Sequence, residues 1–327
     1  MAEKILDVRC DLKDQEKALT GARVIQEGGV VIFPTETVYG IGADVENNNA
    51  CKKIYAIKGR QADNPLIVHV ADLDQAENYA CTNRVRMFRE LAKLWPGPLT
   101  IVMPKKDRVG DVPSAGLGTV GIRIPDCDFT REFIKLSATG IAAPSANMSG
   151  RPSATRAEHI INELHGVDLI YRGEPSRIGI ESTVIYPQDD RCIILRPGAY
   201  TADDFSKIFD RVEYAGPQDP VRSPGMKYRH YSPEKELLRA KKEDLLNFVE
   251  THRDIIPIVT TETAKEIKGE KWILGSIKNP YEISSSLYDL LRQLDASTYH
   301  RGIIECLPET GFFISVMNRI KKASAEL

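Results

Sequence analysis

Apolar positions along this chain fall into short β-branched runs separated by stretches of helical period, the alternation that builds a layered α/β protein. The runs predict strands at 30–33, 66–70, 99–103, 120–124, 141–143, 169–171, 182–186 and 193–195. Helical spacing predicts helices at 15–27, 49–58, 85–94, 130–137, 156–164 and 202–209. Beyond residue 233 the pattern becomes regular: helices at 241–251, 262–268, 281–294 and 312–323 alternate with strands at 255–260, 272–277 and 302–306. Such alternation predicts a small parallel unit. Between the two patterns lies YAGPQDPVRSPGMKYRHYSP, 214–233, too rich in Pro, Gly and charge for a packed element. The expected architecture is α/β: a first domain over 5–205 with a twisted mixed sheet and flanking helices, a linker over 206–237, and a small Rossmann-like parallel domain over 238–327.

A length of 327 residues fits two domains, and 42% hydrophobic residues can fill both cores. A formal net charge of -2 argues against a general basic field for nucleic acid. Six cysteines (Cys10, Cys51, Cys81, Cys127, Cys192, Cys306) stand singly with no C-x-x-C pair, so neither a zinc site nor a disulfide framework is expected. The expected setting is a reducing cytoplasm. The first residues, MAEKILDVRC, have no apolar leader core, and no apolar run reaches membrane length, so no membrane partner is expected.

Candidate chemistry begins where the run Gly29-Val30-Val31-Ile32-Phe33 stops at Pro34, with the hydroxyls of Thr35, Thr37 and Tyr39 just past a strand end, where open α/β sheets collect ligands. Gly40 and Gly42 offer positive φ or a close approach to the backbone. Asn47, Asn48 or Asn49 can cap the next helix, whose buried stripe is Ala50, Ile54 and Ile57. Lys58 and Arg60 at its C-terminal end answer the helix dipole, but a Lys-x-Arg pair followed by Asn64 and His69 also fits an anion pocket. In APSANMSGRPSAT, 143–155, Ser145 and Asn147 share one side of an extended segment. Ser153 and Thr155 either cap a helix from Arg156 or touch a ligand. Arg123, closing the apolar stretch Thr119-Val120-Gly121-Ile122, needs an anionic partner, either a structural carboxylate or a ligand. Glu181-Ser182-Thr183 and Arg196-Pro197-Gly198 add hydroxyls and a cation at two further strand ends. In the linker, SPGMKYRHYSP at 223–233 places Lys227, Tyr228, Arg229, His230 and Tyr231 in a row, which reads as a lid over the pocket or as a solvated tether. His159, His165, His252 and His300 receive no role. The chain has no G-x-x-x-x-G-K-[ST], no third glycine after Gly40-x-Gly42, no H-E-x-x-H and no G-x-S-x-G.

Taken in order, PTETVYG (34–40), K-x-R (Lys58, Arg60) with NPLIVHV, WPGPLT, GIRIP, PSANMSG and ESTV resemble the YrdC-like threonylcarbamoyl-AMP synthases. SPGMKYRHYSP leading into a small α/β domain that contains Val316-Met317-Asn318-Arg319 is similar to the long form of that family. The resemblance implies a nucleotidyltransferase with a YrdC-like domain, joining L-threonine, bicarbonate or CO2, and ATP into threonylcarbamoyl-AMP with release of pyrophosphate. The product supplies threonylcarbamoyladenosine beside the tRNA anticodon. It also implies that Lys58, Arg60, Ser145 and Asn147 hold the nucleotide phosphates and carry the catalysis. Asn64, Thr119, Ala143, Ser153, Arg196 and Tyr231 would complete the ATP site. Thr35, Thr37, His69, Arg123 and Ser182 would hold threonine, with Thr35 or Thr183 able to replace Thr37 or Ser182.

No Asp or Glu in these motifs forms an evident metal cage, so Mg2+ is expected to arrive on the ATP phosphates. No organic cofactor and no dedicated general base are expected. Lys58 and Arg60 are expected to face solvent in the empty protein. The tRNA threonylcarbamoyl transferase complex is the expected downstream partner, with weak RNA contact by the chain itself. Two rival readings are a non-enzymatic double-stranded RNA-binding or ribosome-assembly factor using Lys58, Arg60, Lys105, Lys106 and Arg108, and a carbamoyl-transfer module of the hydrogenase-maturation type. Near-neutral charge weighs against the first and a hydroxyl-rich site against the second. The C-terminal unit lacks a glycine-rich phosphate loop, so docking and control of pocket access are its expected tasks.

Overall fold

A computed structural model of the chain describes residues 4–161, 163–216, 231–252 and 254–327. The first domain opens with β1 (Lys4–Asp7), α1 (Gln15–Gln26), β2 (Val31–Phe33), β3 (Gly40–Asp44) and α2 (Asn48–Lys58). Next come β4 (Ile67–His69), α3 (Leu73–Tyr79), α4 (Phe88–Ala92), β5 (Leu99–Pro104), α5 (Asp111–Ser114) and β6 (Thr119–Arg123). It closes with α6 (Asp128–Leu136), β7 (Ile141–Ala143), α7 (Glu158–Ile161), β8 (Leu169–Arg172), β9 (Thr183–Pro187), β10 (Arg191–Arg196), α8 (Ala202–Phe205) and β11 (Arg211–Tyr214). These strands form one mixed sheet in the order β1-β8-β2-β3-β7-β4-β6-β5-β9-β10-β11.

Local chemistry explains where these elements differ from expectation. β3 was hidden by Gly40 and Gly42, which read as turn residues. Neither has positive φ. They sit in a strand because a Cβ at Gly40 would lie 2.8 Å from the Phe33 ring and one at Gly42 2.3 Å from Ile141. Expected helix 85–94 is a 3-10 turn, Thr82–Arg84, followed by the short α4. Asn47 caps α2 by accepting from the amides of Asn49 and Ala50, and Gly59 ends it in the left-handed region at φ 59°. Within the expected linker span, β11 pairs in parallel with β10, so part of that span belongs to the first sheet. Residues 223–230 of SPGMKYRHYSP lie outside the described residues.

The cysteines correct an expectation. Cys10 and Cys127 form a disulfide with Cα atoms 4.6 Å apart across 117 residues of sequence. Singly spaced cysteines conceal a pair that only folding brings together: Cys10 follows β1, Cys127 precedes α6, and the Asp128 amide donates to the Cys10 carbonyl at 2.7 Å.

One face of the sheet is packed over α2 around Ile54, Val68, Ile122 and Ala142. On the other, α1 and α6 cover β8, β2 and β7 through Ile25, Phe133, Phe33, Ala143 and Tyr171, and Val102, Val184, Ile193 and Leu195 form a small cluster towards β10. Between the two, Ile67, His69 and Arg123 face a pocket.

The C-terminal unit comprises β12 (Glu236–Ala240), α9 (Lys242–Thr251), β13 (Ile255–Thr260), β14 (Trp272–Gly275), α10 (Pro280–Ala296), β15 (Arg301–Glu305), α11 (Phe313–Ala323) and β16 (Ala325–Glu326). Its sheet, β14-β13-β15-β12-β16, is parallel throughout, as the alternation predicts. The core of this unit continues into the first domain through Val38 and Ile180. Helix α10 meets the first domain so closely that a Cβ on Gly179, φ 76°, would stand 2.3 Å from Ser285 Cα.

Gly179→Ala should therefore combine backbone strain with overpacking and cost about 2–4 kcal/mol. Gly269→Ala, at φ 99° with open space around it, carries strain alone and should cost about 1 kcal/mol. Thermal unfolding of the two variants should rank them in that order, and equal midpoints would refute the close docking of α10.

Candidate functional site

Along β4, residues two apart point the same way, and Ile67 and His69 both face the uncovered part of the sheet. Arg123 stands at His69's register on β6, and Ala143 at Ile67's register on β7. The pocket thus lies on the sheet face rather than beyond a row of strand ends. Its lining brings together Thr35, Lys58, Arg60, His69, Arg123, Ala143, Ser145, Asn147, Ser153, Ser182, Arg196 and Tyr231 from the predicted set. Thr37 lies behind Thr35, with the two hydroxyl oxygens 2.9 Å apart. Asn64 offers its backbone carbonyl to Arg60, and Thr119 lines a separate small cleft with Thr100 and Ser114. Tyr39 turns its hydroxyl away to the Gly173 carbonyl at 2.8 Å.

Cations dominate this pocket, and backbone carbonyls hold most of them. Lys58 is 2% exposed, which corrects the expectation that it faces solvent; its location at the last turn of α2 aims the side chain inward beneath the 143–155 loop. Lys58 Nζ donates to the Ser145 carbonyl at 2.5 Å and to the Asn147 carbonyl. Burial, reinforced by nearby Arg60, drives its pKa well below the ordinary lysine value. Arg60, half-buried, donates to the carbonyls of Asn64 and Pro65 at 3.2 and 3.0 Å, and burial lowers it to about 10. Arg196 reaches the Ser182 carbonyl with Nε and Nη2 at 3.1 and 3.0 Å and the Ser182 hydroxyl at 3.2 Å. Within the loop, Ser145 Oγ donates to Asn147 Oδ1 at 2.5 Å, and Asn147 Nδ2 donates to the carbonyls of Met148 and Arg151.

Arg123 forms a second, distinct cationic centre. It is 4% exposed and pairs at 2.8 Å with Glu36, a carboxylate the sequence hid between two threonines. Its buried Nε has no hydrogen-bond acceptor among the described residues. Beside it, burial and then the Arg123 charge depress His69 to about 3, so the imidazole is neutral at physiological pH.

Glu181 is the carboxylate of the lining. It accepts from Ser153 Oγ at 2.5 Å, from the Tyr288 hydroxyl at 3.2 and 3.1 Å, and from Arg319 Nε at 3.0 Å. Burial alone pushes its pKa up, and the Arg319 and Arg196 guanidiniums with the Ser153 hydroxyl outweigh it, leaving about 2. Ser153 is thus committed to Glu181, neither capping α7 nor standing free. Tyr231, 5% exposed, closes the pocket by stacking on Tyr288 with ring centroids 5.6 Å apart. His159, given no role above, binds Asp289 of α10 at 2.9 Å. Sequence reasoning missed Glu36, Glu181, Tyr288 and Arg319 as contributors, although the ESTV motif contains Glu181.

Comparison with known proteins matches this geometry to one family. A family model of Sua5, YciO and YrdC proteins, described as telomere recombination, matches residues 23–198, and one described as threonylcarbamoyl-AMP synthase, C-terminal domain, matches 200–325. The threonylcarbamoyl-AMP synthase of Bacillus subtilis is 36% identical over 98% of this chain and 96% of its own length. That of Pyrococcus abyssi is 37% identical over 98% and 97%. The crystal structure of P. abyssi Sua5 complexed with L-threonine superposes with a TM-score of 0.89 at 34% identity, covering 99% of both chains. Escherichia coli YciO, at 22% identity and a TM-score of 0.54, shares the fold over 62% of this chain.

The buried groups give stability a defined pH dependence. His69 has its folded pKa depressed from 6.5 to about 3, so the unfolded chain binds a proton that the folded chain refuses. Stability is then full above 6.5 and falls as pH drops toward 3, by up to about 1.4 kcal/mol per pH unit. Glu181, depressed from 4.5 to about 2, adds a loss that starts below 4.5. Between pH 6.5 and 4.5 His69 contributes to the loss before Glu181 does, and His69→Asn should reduce the slope of the denaturation midpoint in that window. An unchanged slope would contradict a buried neutral imidazole.

Proposed function

The chain belongs to the Sua5, YciO and YrdC family and carries the C-terminal domain of threonylcarbamoyl-AMP synthases, and on that premise we propose how its pocket divides the work of the reaction. The enzyme makes threonylcarbamoyl-AMP for tRNA modification. Its substrates in this reading are L-threonine, bicarbonate or CO2, and ATP, and its chemistry is nucleotidyl transfer: a carbamate oxygen on the threonine nitrogen attacks the α-phosphorus and pyrophosphate leaves.

One observation carries the division: two separate buried cationic centres share a single pocket, Lys58 with Arg60 and Arg196 on one side and Arg123 on the other. The Arg123 Nε, a buried donor without an acceptor among the described residues, suits a carboxylate, while Glu36 supplies a nearby counter-charge. Threonine's carboxylate therefore goes to Arg123, with neutral His69, Ser182 and Thr35 around the rest of the amino acid. Neutrality at His69 spares the amine a repelling charge. Phosphates go to Lys58, Arg60 and Arg196, with Ser145 and Asn147 shaping the loop beneath. A phosphate supplies what carbonyl oxygens give Lys58 only in part, a full counter-charge in a dry site. Catalysis then consists of holding the carbamate in line and neutralising charge on the leaving group. Mg2+ arriving with ATP would be held by the triphosphate and water, since Glu181, the carboxylate of the lining, is committed to Ser153, Tyr288 and Arg319.

Pyrophosphate release should require ATP, L-threonine and bicarbonate together, with omission of any one abolishing it. Lys58→Met and Arg60→Met, which keep side-chain volume, should each lower kcat/KM for ATP about a hundredfold while the fold persists. Release that ignores threonine would overturn the reading, as would full activity in folded Lys58→Met.

A further inference from the structure

Arg319 has no solvent exposure, yet it is a charged group by which the C-terminal domain reaches the pocket. From α11 it donates Nε to Glu181 Oε2 at 3.0 Å, Nη2 to the Glu181 carbonyl at 3.4 Å, and Nη1 to the Pro197 carbonyl at 2.5 Å. Glu181 immediately precedes Ser182, and Pro197 immediately follows Arg196. One guanidinium thus clips together the two chain ends that carry the Ser182–Arg196 pair. Ser315, one turn earlier on α11, donates to the Gly198 carbonyl at 2.7 Å and repeats the clip. Gly198 lies so close beneath that a Cβ there would stand 2.2 Å from the Thr183 nitrogen. On the other side of Glu181, Tyr288 and Arg319 fix the carboxylate that receives Ser153.

A buried ion pair is a poor way to stabilise an interface, since well-packed apolar side chains of similar volume do as well or better. Here it is oriented by Tyr288, Ser153 and the Glu181 and Pro197 carbonyls, each of which belongs to, sits one residue from, or is hydrogen-bonded to a residue of the pocket. We propose that Arg319 is a positioning residue of the reaction: through Glu181 and Pro197 it sets Ser153 and Arg196 on the phosphate side of the pocket, so that docking of the C-terminal domain completes the ATP site. Arg319 and Tyr288 touch no substrate in this arrangement; they act through Glu181. The inference rests on the reading of the pocket given above.

The test uses the full chain with two conservative variants. Arg319→Lys keeps the charge and loses the fork; Tyr288→Phe loses one hydroxyl and keeps the ring. Kinetics are measured well below the unfolding midpoint of each variant, with KM for ATP and for threonine determined separately. Both variants should raise KM for ATP, Arg319→Lys about tenfold and Tyr288→Phe about fivefold, as expected for hydrogen bonds to a charged group. KM for threonine should rise less than KM for ATP, since Arg123 and His69 lie outside the network and only Ser182, one residue from Glu181 and bonded to Arg196, links the amino acid to it. If either variant lowers the unfolding midpoint but leaves KM for ATP and kcat at wild-type values, Arg319 is only a rivet between domains and the proposal falls. Wild-type chain that released pyrophosphate without threonine would instead overturn the function on which the proposal rests.

Discussion

Burying positive charge is the constraint on which the rest of this structure depends. A lysine or arginine taken out of water is costly unless acceptors surround it, and this chain withdraws Lys58, Arg123, Arg196 and Arg319 into or behind one pocket. Most of the acceptors are backbone carbonyls of the loops that shape the site: Ser145 and Asn147 for Lys58, Ser182 for Arg196, Pro197 for Arg319. The cations therefore fix the loops, and the loops fix the cations. Carbonyl dipoles compensate only part of a full charge, so the empty pocket retains an attraction for anions.

The same constraint gives the C-terminal domain its place. Glu181 is the anion among the cations of the pocket, and it takes its orientation from Tyr288 and Arg319, more than 100 residues further along the chain. Surrounding contacts reinforce the docking: Arg292 binds Glu163, and Arg151 pairs with Asp295 at 3.2 Å and Glu234 at 2.6 Å. Since Arg151 and Pro152 border the loop of Ser145 and Asn147, and Arg292 also reaches the Pro152 carbonyl, the second domain grips both loops of the site. A parallel α/β unit without its own phosphate loop is thereby docked against the wall of the pocket.

How much of this was legible in the sequence follows from how local each feature is. Short β-branched runs announced β2, β4, β6 and β7, and the K-x-R and S-x-N spacings announced Lys58, Arg60, Ser145 and Asn147, because each signal is contained within a few residues. β1 and β12 escaped notice: their sequences, KILD and ELLRA, carry charge on a mostly unburied strand and lack an apolar alternation. Lys58 was expected in water because a lysine at a helix end usually is; only the loop at 143–155 folding over it shows otherwise. Glu36, Tyr288, Arg319 and the Cys10–Cys127 disulfide depend on contacts between distant segments, for which no periodicity exists. Among the described residues no helix is long and apolar enough to cross a membrane.

The central claim is that one pocket holds two anions on two cationic centres, and a crystal structure of the full chain with L-threonine and a non-hydrolysable ATP analogue tests it most directly. The account predicts the threonine carboxylate on the Arg123 guanidinium and the phosphates within hydrogen-bonding distance of Lys58, Arg60 and Arg196. Phosphates bound at Arg123, or on the C-terminal domain away from this pocket, would contradict it.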